Sequence, residues 1–449
     1  MSFKISLAVL FFGVIFIFKG QAQKMWTLDE CIVYGLEHSL EQEITSQDAA
    51  ISKEYWQQSK RNLLPSIGVS YPGYNVSFGR TLDPVTNTYV ERRFVSGIRG
   101  GLSSSITLFE GFRKWHHLAY QKLQYENSKY RAEQAKYDLA FKIMDLFSNV
   151  LFHEGALEIV KEQQRSNLLH YRTVSKKTDL GLMAKADLYE IEATVSGDSL
   201  SVLQAENRLE LAKLSLLQEM NLQQETIAIT AGLTSNKLPE TDVEEVFNSA
   251  LETLPLLKIS ALSVASAKKD LAVTKSAFFP RIGLSAAINT SFSDNIKDAS
   301  GNTVSFREQI KNNQNKFIGV SLNFPVFGNG RVWSQTKIGK IRLNKANTQF
   351  RLEQQRTYKQ IREMLQKNKA LNAEEVLNQK QLKAKEQAYK VAQKRFEKEL
   401  ISLYDLQITS SSYLSAKIEQ LRILVEKRIQ KHYLDFYKGE FKLPTIASN

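Results

Sequence analysis

The chain carries the same order of sequence segments twice. The segment LLPSIGVS at 63–70 returns as FFPRIGLS at 278–285, and ITLFEGFRKW at 106–115 returns as FPVFGNGRVW at 324–333. A third pair, ADLYEIE at 186–192 and YDLQITS at 404–410, has the same offset as the second pair. Repetition at this scale predicts two halves of about 200 residues each, built from the same parts in the same order.

The spacing inside the two halves is also the same. The stretch from Trp115 to Asp187 is as long as the stretch from Trp333 to Asp405. Because loops tolerate insertions, equal length over such a stretch indicates regular structure that has to stay in register. A helix of that size is about 100 Å long, which suits a stalk better than a globular domain.

Apolar residues recur at helical spacing after the first of these stretches. With Asp198 as the one exception, the positions alternate by three and four residues: Ile191, Val195, Val202, Ala205, Leu209, Ala212 and Leu216. The same spacing joins Leu414, Ile418, Leu421 and Val425. Such seams are typical of helices packed in coiled-coil fashion.

The segments that follow the prolines alternate with a period of two. Apolar residues are separated by small or polar ones, which predicts strands with one apolar and one small-polar face. In an outer-membrane sheet the apolar face would contact lipid. The candidate lipid-facing residues of the second half are Ile282, Leu284, Ile288, Val320 and Leu322.

The first residues read as a secretory signal peptide. Lys4 precedes an apolar or small-residue run over 5–18, and small residues at 20 and 22 predict cleavage after Ala22. The run is too short to span a bilayer as a helix. The single cysteine, Cys31, allows no disulfide within the chain. We therefore expect an exported protein.

Charge and motifs limit the remaining function classes. The net charge of +13 is expected from a solvated, Lys-rich helical surface, and export disfavours nucleic acid as a partner. The chain contains no HExxH, GxSxG or GxxxxGK[ST] motif, and His116 and His117 are adjacent and poorly placed as co-ligands. We expect no catalytic residue, no cofactor and no metal site, and hence no enzyme.

The predicted strands number four in each chain. Four strands cannot close a barrel, and an open sheet edge is not tolerated in lipid. Membrane insertion therefore requires several copies. Two chains would give eight strands and three would give twelve, and physical reasoning alone does not choose between them.

At these motifs the sequence resembles the TolC-type outer membrane efflux proteins. The resemblance rests on WTLDECIVYGLEHS at 26–39, on both proline-led strand segments, on the turns LFEGFRKW and VFGNGRVW, and on DLGLMAKADLYEIEA at 179–193. It implies a mainly α protein with a membrane β-barrel: a homotrimer in which four strands per chain complete a twelve-stranded barrel above a long coiled-coil helical barrel.

The resemblance also implies the task and the partners. The expected function is passive export through the outer membrane of a Gram-negative bacterium, as the exit duct of a tripartite efflux or type I secretion system, with the helical part in the periplasm. An inner-membrane pump of the RND or ABC type and a periplasmic adaptor, or membrane fusion, protein would deliver the substrate. The alternative is a periplasmic coiled-coil scaffold without a pore.

The expected division of the chain follows the two halves. It begins with the signal peptide and ends with a short tail: signal peptide 1–22, N-terminal helices 23–64, first barrel hairpin 65–109, first long helical hairpin 110–222, equatorial region 223–254, helix 255–279, second barrel hairpin 280–327, second long helical hairpin 328–438 and C-terminal tail 439–449.

The resemblance places functional residues at the two hairpin tips. Gly181, Leu182, Leu400 and Ile401 are expected to dock the adaptor. Asp187 and Asp405 are expected to line the periplasmic entrance, although a carboxylate at a helix start is equally explained as a cap. Glu399 stands where the first tip has Gly181.

Overall fold

The computed structural model describes residues 25–70, 73–82, 86–230, 232 and 237–444. The predicted signal peptide, 1–22, lies outside the described residues. The described part begins with strand β1, Met25–Trp26, which pairs in parallel with β5, Ala228–Ile229. Helices α1, Leu28–His38, and α2, Leu40–Arg61, follow β1. Thr27 starts α1 with a capping box, since its side chain and that of Glu30 each accept the other's backbone N–H.

Two long helical hairpins dominate the molecule. The first joins α3, Arg113–Asp179, to α4, Lys185–Glu219, and the second joins α8, Arg331–Glu397, to α9, Leu403–Tyr437. Both first helices have 67 residues and both second helices have 35. At a rise of roughly 1.5 Å per residue the longer ones extend about 100 Å.

Shorter helices connect the hairpins. Helix α5, Val243–Thr253, is followed by α6, Pro255–Lys275, which packs between α3 and α8. Proline occupies the first turn of α6, where its missing N–H costs no hydrogen bond. Within the described ranges, no single helix has the length and apolarity to cross a membrane, and only the bent pair 243–253 and 255–278 meets those criteria jointly.

The remaining described strands form one antiparallel sheet at the end of the hairpins. It contains β2, Ser66–Ser70, β3, Tyr74–Leu82, β4, Tyr89–Phe109, β6, Arg281–Ser293, and β7, Asn315–Asn323. The order is β2-β4-β6-β7, and β3 pairs with the same edge of β4 as β2. A short helix, α7, Phe306–Asn312, lies between β6 and β7.

The sheet is four strands wide but has five strands among the described residues, where the sequence predicted four. The first predicted strand is interrupted just before β3, at Gly73, whose φ of 86° lies in the left-handed region that glycine adopts most easily. Both pieces pair with β4, which is 21 residues long. The alternation of residues revealed the strand pattern but not this break.

The apolar core lies mainly where the short helices meet the hairpins. Ile32 of α1 packs into a cluster with Ile143 and Phe147 of α3 and Leu216 of α4, all fully buried. Phe141 stacks on Tyr433 of α9, with ring centroids 4.7 Å apart, so the same region joins the two halves.

The inner seams of the two hairpins differ in polarity. At the level of Val150 and Leu209 the seam of the first hairpin is apolar, whereas nearer the tip Asn167 donates to Asp198 across it at 2.7 Å. The corresponding positions of the second hairpin hold the buried Asn368 and Lys427, and Lys427 forms an ion pair with the buried Glu375. No hydrogen-bond partner for the Asn368 side chain occurs among the described residues. The two hairpins therefore have equal lengths but different interiors.

Candidate functional site

The pairing register places the five predicted lipid-facing residues on one face of the sheet. Residues directly opposite each other in antiparallel strands share a face, as do residues two apart along a strand. Leu284 lies opposite both Val320 and Ile106, Ile282 lies opposite Leu322, and Ile288 lies opposite Leu102. We call this surface, extended by Ile67 and Val69 of β2, the apolar face. Its contact with lipid stays a prediction.

The other face carries small and polar side chains. Ser285 lies opposite Ser105 and Gly319, and Ser66 lies opposite Ser105 with their hydroxyl oxygens 3.0 Å apart. Phe317 is the large exception, since it lies opposite Ala287 and its ring covers Gly319, where a Cβ would come within 2.4 Å of it. We call this surface the small-polar face.

The apolar face is exposed in the single chain. The exposed fractions are 74% for Ile67, 81% for Val69 and 69% for Val320. Among the described strands, β2 and β7 also lack a neighbour on their outer edges. Exposed apolar residues at a free strand edge promote association in water. Covering this face and pairing these edges would remove the exposed apolar area and the unpaired backbone groups from water.

Aromatic side chains gather where the sheet meets the long helices. The ring of Phe109 contacts Phe112 edge to face, at 5.6 Å between centroids, and Phe279 at 6.5 Å. Phe278 contacts Trp333 in the same way, at 5.4 Å. Such rings suit the boundary between apolar and aqueous surroundings, where outer-membrane proteins concentrate them.

The two hairpin tips have the same backbone geometry. At the first tip, the N–H of Leu182 donates to the carbonyl of Lys177 at 2.8 Å, and at the second the N–H of Leu400 donates to that of Arg395 at 2.9 Å. Both ends are Schellman motifs, with Gly181 at φ 73° and Glu399 at φ 60°. Glu399 thus adopts a left-handed conformation that disfavours a residue with a Cβ.

The structure brings the two tips together at one end of the molecule. The ammonium of Lys177 lies 2.7 Å from the carboxylate of Glu399. Beneath this ion pair, Val174 and Ile191 of the first hairpin pack with Leu403 of the second. Three of the four predicted docking residues, Gly181, Leu182 and Leu400, are exposed, and Ile401 is half-buried against this cluster.

The two predicted entrance carboxylates have different surroundings. Asp405 closes a capping box, because its carboxylate accepts the backbone N–H of Ser402 at 3.2 Å while its own N–H donates to the Ser402 hydroxyl oxygen at 3.1 Å. Asp187 lies in the first turn of α4, where Ala184 at the N-cap offers no side-chain acceptor. The capping role of Asp405 is therefore present in the structure, and its entrance role stays a prediction.

Asp187 also lines a cavity of about 490 Å³ between the tips, together with His170. Burial lowers the pKa of His170, whose ring meets Phe396 edge to face at 5.8 Å between centroids. Sequence reasoning did not identify His170, since a lone histidine on a long helix carries no pattern. Among the residues that the structure describes, no group of three or more His, Cys, Asp and Glu is placed to hold a metal ion.

A sheet with one apolar and one small-polar face, carried on helical hairpins whose longer helices extend about 100 Å, is the architecture expected of an outer-membrane channel. Residues 246–436 match the family model described as Outer membrane efflux protein. This match confirms the resemblance to the outer membrane efflux proteins that the sequence indicated, and with it the expected location in the outer membrane with a periplasmic helical part.

Individual relatives agree with this assignment. The outer membrane efflux protein BepC of Brucella suis biovar 1 (strain 1330) is 23% identical over 367 residues, which are 80% of this chain and 72% of BepC. Among solved structures, the Campylobacter jejuni CmeC outer membrane channel superposes with a TM-score of 0.81 at 16% identity, over 93% of this chain and 87% of that chain. VceC from Vibrio cholerae gives 0.77 at 14% identity, over 92% and 97%. These structures share the fold, and the family and its structural relatives are channels.

Proposed function

We propose that the protein is the outer-membrane exit duct of a tripartite efflux or type I secretion system. In this role it conducts substrates passively after an inner-membrane pump and a periplasmic adaptor deliver them. The observation that carries the proposal is the sheet itself, which exposes a continuous apolar face and ends in two free edges. A scaffold that stays in the periplasm would expose this surface to water, where it favours aggregation.

The proposed assembly is a homotrimer with a twelve-stranded barrel. Strand directions alternate across the sheet, so β7 of one copy can pair antiparallel with β2 and β3 of the next. Such a ring closes with antiparallel pairing at every position and needs no parallel pair of strands. A β-structure must close into a barrel to be accepted by a bilayer, and barrels of bacterial outer membranes have an even number of strands. The family resemblance favours three copies over two.

We also propose that the two halves of the chain form an internal repeat, with the domain boundaries predicted from the sequence. Its support is the equal length of the corresponding helices and their common offset along the chain, from Arg113 to Arg331 and from Lys185 to Leu403. Equal lengths place both tips at one depth, farthest from the sheet. We propose that Gly181, Leu182, Leu400 and Ile401 dock the adaptor there, around an entrance lined by Asp187 and Asp405.

A pair of adjacent substitutions tests the membrane role. Leu284→Arg introduces a charge on the apolar face, where it costs about 2–4 kcal/mol in a bilayer. Ser285→Arg introduces the same charge one residue later, on the small-polar face, and serves as the matched control. We expect Leu284→Arg to reduce the folded trimer in outer-membrane fractions strongly and Ser285→Arg to reduce it little.

Two measurements separate the duct from the scaffold. The mass of the detergent-extracted protein should correspond to three chains, and the trimer should conduct ions in planar bilayers. Release of the wild-type protein from membranes by alkaline washing, together with equal behaviour of the two arginine variants, would contradict the proposal and favour the scaffold.

A further inference from the structure

A large cavity lies at the junction of the sheet and the helices, on the side of the small-polar face. Its volume is about 1040 Å³. The sheet contributes Ser66, Ser105, Ser285 and Ser321 to its wall, all of which belong to the small-polar face. If the sheet closes into a barrel with its apolar face outward, this cavity opens into the lumen.

Four cationic side chains line the cavity. Arg61 comes from the end of α2, Arg113 and Lys114 from the start of α3, and Arg281 from the start of β6. Glu110 is the only carboxylate among the lining residues, which leaves a net of three positive charges in each chain. Distant segments of the sequence thus bring cations to one place.

Within the described ranges, these cations are poorly neutralised. No ion pair joins Arg113, Lys114 or Arg281 to a carboxylate there, and Arg281 instead donates to the hydroxyl of Thr107 at 3.3 Å. Arg61 pairs with Glu54, which does not line the cavity. Cations that outnumber the carboxylates around a shared cavity attract anions into it.

The helix dipole favours a cation at the position of only one of these four residues. Arg61 lies in the last turn of α2, where a cation interacts favourably with the helix dipole. Arg113 and Lys114 occupy the first turn of α3, which has no acidic residue and no side-chain cap. Cations are unfavourable at that end of a helix, so their presence there calls for another reason.

From this geometry we propose that the protein has an anion-binding belt in its lumen, at the base of the barrel, which favours the passage of polyvalent anionic solutes such as phosphate- or carboxylate-bearing molecules. The belt consists of Arg61, Arg113, Lys114 and Arg281 from each chain. The inference rests on the proposed function, because only a closed ring of copies turns the cavity into a lumen. Each copy in that ring would add its own net positive charge to the belt.

The experiment uses full-length trimers in planar bilayers, with sodium tripolyphosphate added on the side of the barrel. We expect the polyanion to block the current at low ionic strength and the block to weaken as salt is raised, because the interaction is screened within about 10 Å at roughly 0.1 M. Arg281→Gln and Lys114→Gln should each raise the half-blocking concentration by about tenfold, since each removes one charge per chain from a multivalent contact.

Lys316→Gln is the matched control. Lys316 lies opposite Ile288 on the apolar face, so the substitution removes one positive charge from the same sheet without touching the cavity. It should leave the block unchanged. Equal relief by Lys316→Gln would show that only the total charge matters and would overturn the belt.

The outcomes distinguish this inference from the proposed function. Trimers that conduct but show no block, or whose block is the same in the wild type and both cavity variants, overturn the belt and leave the duct intact. Wild-type protein that never conducts overturns the duct itself. Should Arg281→Gln fail to insert, Lys114→Gln at the start of α3 still decides the question.

Discussion

Removal of the buried ion pair in the second hairpin should show how that hairpin is held together. Glu375 of α8 and Lys427 of α9 are almost fully buried and joined to each other. The corresponding residues of the first hairpin, Leu157 and Leu209, pack in its apolar cluster. The first hairpin thus shows apolar packing at the two positions where the second hairpin has a buried ion pair.

Glu375→Leu leaves the Lys427 ammonium buried without the carboxylate that it contacts. Breaking a buried pair on one side costs about 3–5 kcal/mol, because the remaining charge is uncompensated. Replacing both partners removes that cost and allows apolar packing. Glu375→Leu combined with Lys427→Leu should therefore have a free energy of unfolding equal to that of the wild type, or up to about 4 kcal/mol higher.

The assay is guanidinium unfolding of the detergent-solubilised protein, followed by far-UV circular dichroism. The single variant should unfold at a clearly lower midpoint, and the double variant at the wild-type midpoint or above. Glu386→Leu is the control, because it removes the exposed ion pair with Lys390 from the same helix and should not shift the midpoint. A double variant less stable than Glu375→Leu would refute the reasoning.

Three further predictions concern the tips. Glu399→Gly should raise the free energy of unfolding by up to about 1 kcal/mol, because glycine adopts the left-handed conformation without strain and the lost ion pair with Lys177 is partly exposed and contributes little. An unchanged or lower midpoint would contradict this. Burial lowers the pKa of His170 below 6.5, so its contribution to stability is full above that pH and is lost as the pH falls through the lowered pKa. His170→Gln should therefore make the unfolding midpoint fall less as the pH is lowered below 6.5. An unchanged pH profile of the midpoint would exclude His170 as the source of that fall. Asp405→Asn keeps an acceptor for the cap, so trimer stability should persist while the cation preference in bilayer recordings falls. An unchanged ion preference would mean that Asp405 acts only as a cap.

The tertiary structure brings together charged residues that no local sequence pattern predicts to be neighbours. Arg61, the adjacent Arg113 and Lys114, and Arg281 are far apart in the sequence, and only the meeting of α2, α3 and β6 at the base of the sheet makes them neighbours. Likewise, the ion pair between Lys177 and Glu399 joins residues on two different hairpins. Contacts of this range depend on how the two hairpins pack, which periodicity does not encode.

The sequence by itself determined the long helices, the alternation of the sheet faces, the resemblance to its family and the places of the two tips. Each of these follows from a local period, a repeated motif or a fixed spacing, such as the equal stretches from Trp115 to Asp187 and from Trp333 to Asp405. The tertiary structure alone decided the break in the first strand at Gly73, the left-handed conformation of Glu399 and the polar seam around Glu375 and Lys427. These features depend on backbone strain and on burial by distant segments, and both arise only when the chain is packed.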